Sequence, residues 1–203
     1  NGDINTSSLI FDPPPELVGK INVAPEMGDV MGMVLRYIGS KPCTNDKARL
    51  EKARDVLLAA KPKWRSMEYG VIEKIAAGDL AASLYWNGAS FRARLQNPDI
   101  HYGYPREGYS LWMDSVVILK DAKNVENAKT FMNFIMEPEN AALISAFARY
   151  ANGVEGSVQY MPEDMATAPE VVIPSEFVDA GHFLPPSPPD VQKIYRAEEH
   201  TSE

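Results

Sequence analysis

Short apolar runs alternate along this chain with segments whose apolar residues recur every three to four positions, and this alternation constrains the fold more than any other feature. Met27, Val30, Met31, Val34, Leu35 and Ile38 share one helical face, which predicts a helix over Glu26–Ile38 that stops at Gly39. Thr44-Asn45-Asp46 predicts the cap of a second helix over Asp46–Ala60, with Leu50, Ala53, Val56, Leu57 and Ala60 as its buried stripe and Pro62 ending it. A third helix is expected over Tyr69–Ala77, up to Gly78. Before these, the prolines from Pro13 to Pro15 stiffen a loop that feeds a short strand ending near Val23, and Trp64 falls on a short strand or turn.

The second half reads similarly. Leu80–Trp86 suits a buried parallel strand, followed by a turn at Asn87-Gly88 and a short helix over Ser90–Gln96. Strands are expected at Ile100–Tyr104 and Leu111–Leu119, the latter interrupted by Asp114. Helices are expected over Val125–Met136 and Pro138–Arg149, with Pro138 in a first-turn position. Beyond Tyr150 the chain reads as irregular and proline-rich, with a last short helix over 190–199. Strands alternating with helices imply an α/β architecture with a largely parallel sheet. In such sheets ligands sit beyond the carboxyl ends of the strands.

The formal net charge is −8, which argues against phosphate recognition and hence against a nucleic-acid partner. Hydrophobic residues make up 45% of the chain, enough to form a core. No apolar run is long enough to cross a bilayer, and Asn1-Gly2-Asp3-Ile4-Asn5 lacks the basic and apolar regions of a signal peptide. The single cysteine, Cys43, excludes an internal disulfide and a cysteine-based zinc cage. His101, His182 and His200 are far apart, so no metal site is expected. No glycine-rich dinucleotide or phosphate loop and no Gly-x-Ser-x-Gly elbow occurs, so no cofactor and no catalytic residue is expected.

Three stretches stand out: Tyr85-Trp86-Asn87-Gly88, then Pro105-Arg106-Glu107-Gly108, then Leu111-Trp112-Met113-Asp114-Ser115. An aromatic ends one strand and a carboxylate interrupts the next, the π face and counter-charge that a desolvated ammonium needs. In order and spacing this set resembles the periplasmic spermidine/putrescine receptors of bacterial ABC transporters. The likeness runs from about Ile21 to Gly181 and includes Phe131, Asn133 and Phe134. The resemblance implies a periplasmic protein with a periplasmic-binding-protein-like (type II) α/β lobe, a mixed, mostly parallel sheet flanked by helices, and an incomplete second lobe. It places residues 1–111 in the main part of the C-terminal lobe. Residues 112–159 return to the N-terminal lobe, and residues 160–203 form the final part of the C-terminal lobe. The first part of the family's N-terminal lobe has no counterpart in this sequence, so the resemblance implies a fragment or a lone lobe. A homodimer formed by swapping would then supply the missing sheet partners.

By resemblance, Trp86 stacks on the ligand and Asp114 is the main counter-ion to an ammonium. Glu26 and Asp29, three apart at a helix start, face one amine terminus, and Tyr150 lines the cleft. Glu68 aligns near a serine of the family, where a carboxylate adds counter-charge. Each has a plainer reading: a core aromatic, a hinge carboxylate, acids favoured by the helix dipole, a helix-end tyrosine. Two departures bear on specificity. Short-diamine binders carry an aspartate where this chain has Ala89, and a late glutamine of spermidine binders falls near Leu184. The expected function is capture of a polyamine or related cation and its presentation to an inner-membrane ABC permease. The alternatives are a lone lobe serving as an interaction module and an enzyme of unknown class on the same scaffold.

Overall fold

A computed structural model describes residues 2–184, 189 and 191–193. Three short parallel strands organise the first part: β1 (Ile21–Val23), β2 (Ser66–Met67) and β3 (Ala82–Leu84), in the order β2-β1-β3. Val23 pairs with Met67 on one side and with Leu84 on the other, so all three carboxyl ends finish level. A second parallel pair joins β4 (Tyr109–Leu111) to β5 (Gly181–Phe183). Every strand pairing among the described residues is therefore parallel, a narrower result than the mixed sheet expected.

The helices are α1 (Ser8–Phe11), α2 (Met27–Tyr37), α3 (Lys47–Ala60), α4 (Ile72–Ala76), α5 (Asn87–Gln96), α6 (Val125–Ile135) and α7 (Pro138–Ala148). The main core joins Ile10 and Phe11 of α1, Ile21 and Val23 of β1, Val34 and Leu35 of α2, and Leu50 and Ala53 of α3. A smaller core places Phe91 of α5 against Met165 and Ala168.

Local chemistry sets several of these boundaries. After α2, Gly39 takes φ +70°, the Ser40 N–H reaches Leu35 O and the Gly39 N–H reaches Arg36 O, which closes a Schellman motif. Asp46 caps α3 by accepting the Ala48 and Arg49 N–H groups at 3.0 and 3.3 Å. Pro138 opens α7, and Arg149 ends it in the left-handed region at φ +64°.

Four sequence expectations need correction. Ile100–Tyr104 is not a strand: Asn5 takes the backbone bonds that a neighbouring strand would supply, accepting the Tyr104 N–H through Oδ1 and the Arg106 N–H through its carbonyl. Only Tyr109–Leu111 of the second expected strand region pairs, and residues 112–119 run without a sheet partner. Asn87 and Gly88 are not a turn but the first residues of α5. The third helix shortens to Ile72–Ala76, because Gly70 at φ +70° turns the chain first. The two-residue strand β2 was not foreseen as such. The helix expected over 190–199 lies mostly outside the described residues.

Candidate functional site

The residues that follow the three level strand ends form one surface. Glu26 ends the β1–α2 connection and Asp29 sits in the first turn of α2, Glu68 and Tyr69 come from the turn after β2, and Tyr85 and Trp86 from the β3–α5 connection. Asn22, fully buried in β1, holds these connections in place. Its Oδ1 accepts from Ser66 Oγ at 2.8 Å and from the Glu68 N–H at 3.2 Å, and its Nδ2 donates to Ser83 Oγ at 3.2 Å. A buried amide needs such partners, and meeting that need fixes both outer strands to the centre.

Trp86 is the N-cap residue of α5 and is half-buried. Its indole Nε1 donates to Asp29 Oδ2 at 3.0 Å. Tyr69 stacks on its ring at 5.6 Å and 9°, and Tyr85 meets it at 5.3 Å and 53°. The Tyr69 hydroxyl lies 3.1 Å from Pro25 O and 3.3 Å from Glu26 Oε2. The Gly70 N–H donates to the Tyr85 hydroxyl at 2.9 Å.

Burial raises the Asp29 pKa above its usual 3.8, the Trp86 donor opposes the shift, and the Glu26 charge adds to it. Neither Asp29 nor Glu26 takes part in an ion pair among the described residues; Arg36, a turn pair further along α2, is the weakest of the four influences on Asp29. The result is a carboxylate pair beside stacked aromatic rings, an arrangement suited to an ammonium group.

Tyr150 borders the same surface. It packs on the first turn of α5, with Gly88 directly beneath its ring, and meets Trp112 edge-on at 6.0 Å. Burial raises its pKa, Arg92 and the Ala89 N–H oppose that shift, and the Tyr85 and Asp114 charges add to it. Asp114 is therefore near Tyr150. It is exposed, however, on the unpaired 112–119 segment, and not buried within a strand as its apolar neighbours suggested.

Glu68 goes elsewhere. Its Oε1 accepts from Lys74 Nζ at 2.6 Å, which lowers its pKa, so its charge is already matched. The structure thus brings Trp86, Asp29 and Glu26 into contact through Tyr69, and sets Tyr150 with Asp114 beside them. Neither Tyr69 nor Tyr85 was among the expected ligand residues, although Tyr85 opens one of the distinctive stretches; their position after strand ends was the available signal. Among the described residues no three His, Cys, Asp or Glu side chains gather as a metal would require, and no helix is long and apolar enough to cross a membrane. A small apolar cavity of about 40 Å³ behind Pro25 and Met27 is too small for an organic ligand.

Residues 26–172 match the family of bacterial extracellular solute-binding proteins. The putrescine-binding periplasmic protein SpuD of Pseudomonas aeruginosa is 25% identical over 207 residues, which covers 95% of this chain and 55% of the relative. The spermidine/putrescine-binding periplasmic protein of Escherichia coli is 29% identical over 137 residues, 67% of this chain and 39% of that protein. The chain thus spans about half the length of the curated relatives it matches. A solved structure from Listeria monocytogenes, named for spermidine/putrescine ABC transport, superposes with a TM-score of 0.90 at 26% identity, covering 100% of this chain and 62% of that one. The fold is shared with a Treponema pallidum lipoprotein at a TM-score of 0.81 and 20% identity, over 98% of this chain and 61% of that one.

Proposed function

The chain belongs to the bacterial extracellular solute-binding protein family, and from that premise we propose that it captures a small organic cation of the polyamine class beyond the carboxyl ends of β1, β2 and β3. One observation carries the reading. Asp29 and Glu26, free of ion pairs among the described residues, lie against the Trp86–Tyr69 stack. An ammonium there gains a counter-charge and a π face at once. The polyamine-binding names of the relatives support the ligand class, and they favour capture over catalysis.

In this reading the protein works outside the cytoplasm and presents its ligand to an ABC permease. The described residues within 1–111 and 160–203 belong to one lobe and residues 112–159 to the other, with Trp112, Asp114 and Tyr150 facing the ligand from that second lobe. The exposure of Val117 (71%), Leu119 (76%) and Phe147 (85%) supports the assignment, since packing within a fuller second lobe would cover such a face.

Calorimetric titration with putrescine and spermidine tests the proposal. Binding by the wild type, lost in Trp86→Ala and weakened severalfold in Asp29→Asn and Asp114→Ala, is the expected result. Equal affinity in all four proteins would place the amine site elsewhere.

A further inference from the structure

Two tyrosine rings lie against the indole of Trp86. Tyr69 lies nearly parallel to it, 5.6 Å between centroids and 9° between planes, while Tyr85 leans on it at 5.3 Å. At that spacing no alkyl chain fits between Tyr69 and the indole. The Tyr69 hydroxyl also lies within reach of Glu26 Oε2, one of the two carboxylates in the site. A single phenol therefore covers the π surface and engages an acceptor, the same two groups that an alkyl-ammonium requires.

Tyr69 is held lightly. Half of it is exposed, and it stands on the turn between β2 and α4, where Gly70 takes φ +70° with open space around its Cα. Its ring is held by the Trp86 stack and its hydroxyl by Pro25 O and Glu26. Rotation about its side-chain bonds would uncover Trp86 without moving the strands.

We propose that Tyr69 is the specificity-determining plug of this site: it occupies the place on Trp86 and Glu26 that a bound amine takes, and the amine must displace it. The inference rests on the amine-binding reading above. It has a chemical consequence. A ligand lacking a positive charge gains little from Glu26 and Asp29 and leaves the Tyr69 stack in place. An ammonium brings a full positive charge to both carboxylates, which the phenol's hydrogen bond to Glu26 does not. Tyr69 thus acts as an internal competitor that only a cation displaces.

The test is calorimetric titration of the full chain with putrescine, comparing wild type, Tyr69→Ala, Tyr69→Phe and Trp86→Ala, with circular dichroism as the check on folding. Tyr69→Ala should bind about threefold to tenfold more tightly, the range set by a lost aromatic stack. Tyr69→Phe keeps the stack and releases Glu26, so its gain should be smaller but measurable. Trp86→Ala should lose binding. Weaker or unchanged affinity in Tyr69→Ala, with Trp86→Ala still impaired, would overturn the plug and leave the amine site standing. If Tyr69→Ala fails to fold, Tyr69→Phe decides, and an affinity equal to or below wild type overturns the inference. Absence of putrescine binding in every protein, Tyr69→Ala included, would overturn the amine site and the plug together.

Discussion

Trp86 Nε1 donates a 3.0 Å hydrogen bond to Asp29 Oδ2 across 57 residues of sequence. The bond ties the start of α5 to the start of α2, two elements that leave adjacent parallel strands. It also holds a carboxylate in a half-buried position that solvation alone would disfavour. Indole and carboxylate are thereby oriented as one unit before any ligand arrives.

The first prediction concerns pH. Burial raises the Asp29 pKa above 3.8 in the native protein, while the unfolded chain keeps the ordinary value. As pH rises from 3.8, the unfolded chain releases its proton first. Stability therefore falls through the raised native pKa and carries a constant penalty above it. Asp29→Asn removes that ionisation and still offers Trp86 an acceptor oxygen. Its melting temperature should exceed that of the wild type at pH 7, and the two should converge near pH 3, while putrescine affinity at pH 7 falls. Thermal melts across this range check it; a mutant less stable at pH 7 would refute it.

Glu68 was expected to add counter-charge, and Lys74 already supplies its partner at 2.6 Å. Glu68→Gln should therefore leave putrescine affinity within about twofold of wild type, since an exposed matched pair contributes little. A tenfold loss by calorimetry would mean that Lys74 releases Glu68 to the ligand.

Arg94 holds Glu170, whose side chain is 0% exposed, through Nε at 2.6 Å and Nη2 at 2.8 Å. Arg94→Ala leaves that carboxylate buried and unmatched, and should lower unfolding stability by about 3 kcal/mol. Arg94→Lys should fall between the two, because an ammonium cannot reproduce the two-pronged contact. Urea unfolding measures both.

At Gly88 an added Cβ would meet the Tyr150 ring, 2.6 Å from both Cδ2 and Cζ. Gly88→Ala should displace Tyr150 and cost about 1–3 kcal/mol, the range for an overfilled contact. In a Tyr150→Ala background the same substitution should be neutral or mildly stabilising, because alanine favours the helix. A double-mutant cycle reads the difference, and additive effects would count against the contact.

The helices were largely legible. The apolar stripe of α2, its stop at Gly39, the Asp46 cap of α3 and the Pro138 start of α7 all follow from neighbours within one turn. Trp86, Asp29 and Glu26 were candidate site residues through the family resemblance, and their places just past strand ends were legible. Their mutual contact was not, because it depends on β1 and β3 being adjacent. Tyr69 escaped notice because nothing local distinguishes it from the other tyrosines; its role arises from where β2 joins the sheet.

The sequence by itself determined the α/β alternation, the limits of α2, α3, α6 and α7 and the residue types at the strand ends. These depend on periodicity and capping, which act over a few residues. Tertiary structure alone decided which carboxylate stays unmatched, which strand forms and which aromatic covers another. Glu68 turned to Lys74, residues 112–117 stayed exposed despite their apolar run, and Asn5 took the backbone bonds of 104 and 106. The physical reason is common to all three: hydrogen bonds, ion pairs and ring stacks need a partner, and the partner is set by how distant segments pack rather than by the residues alongside.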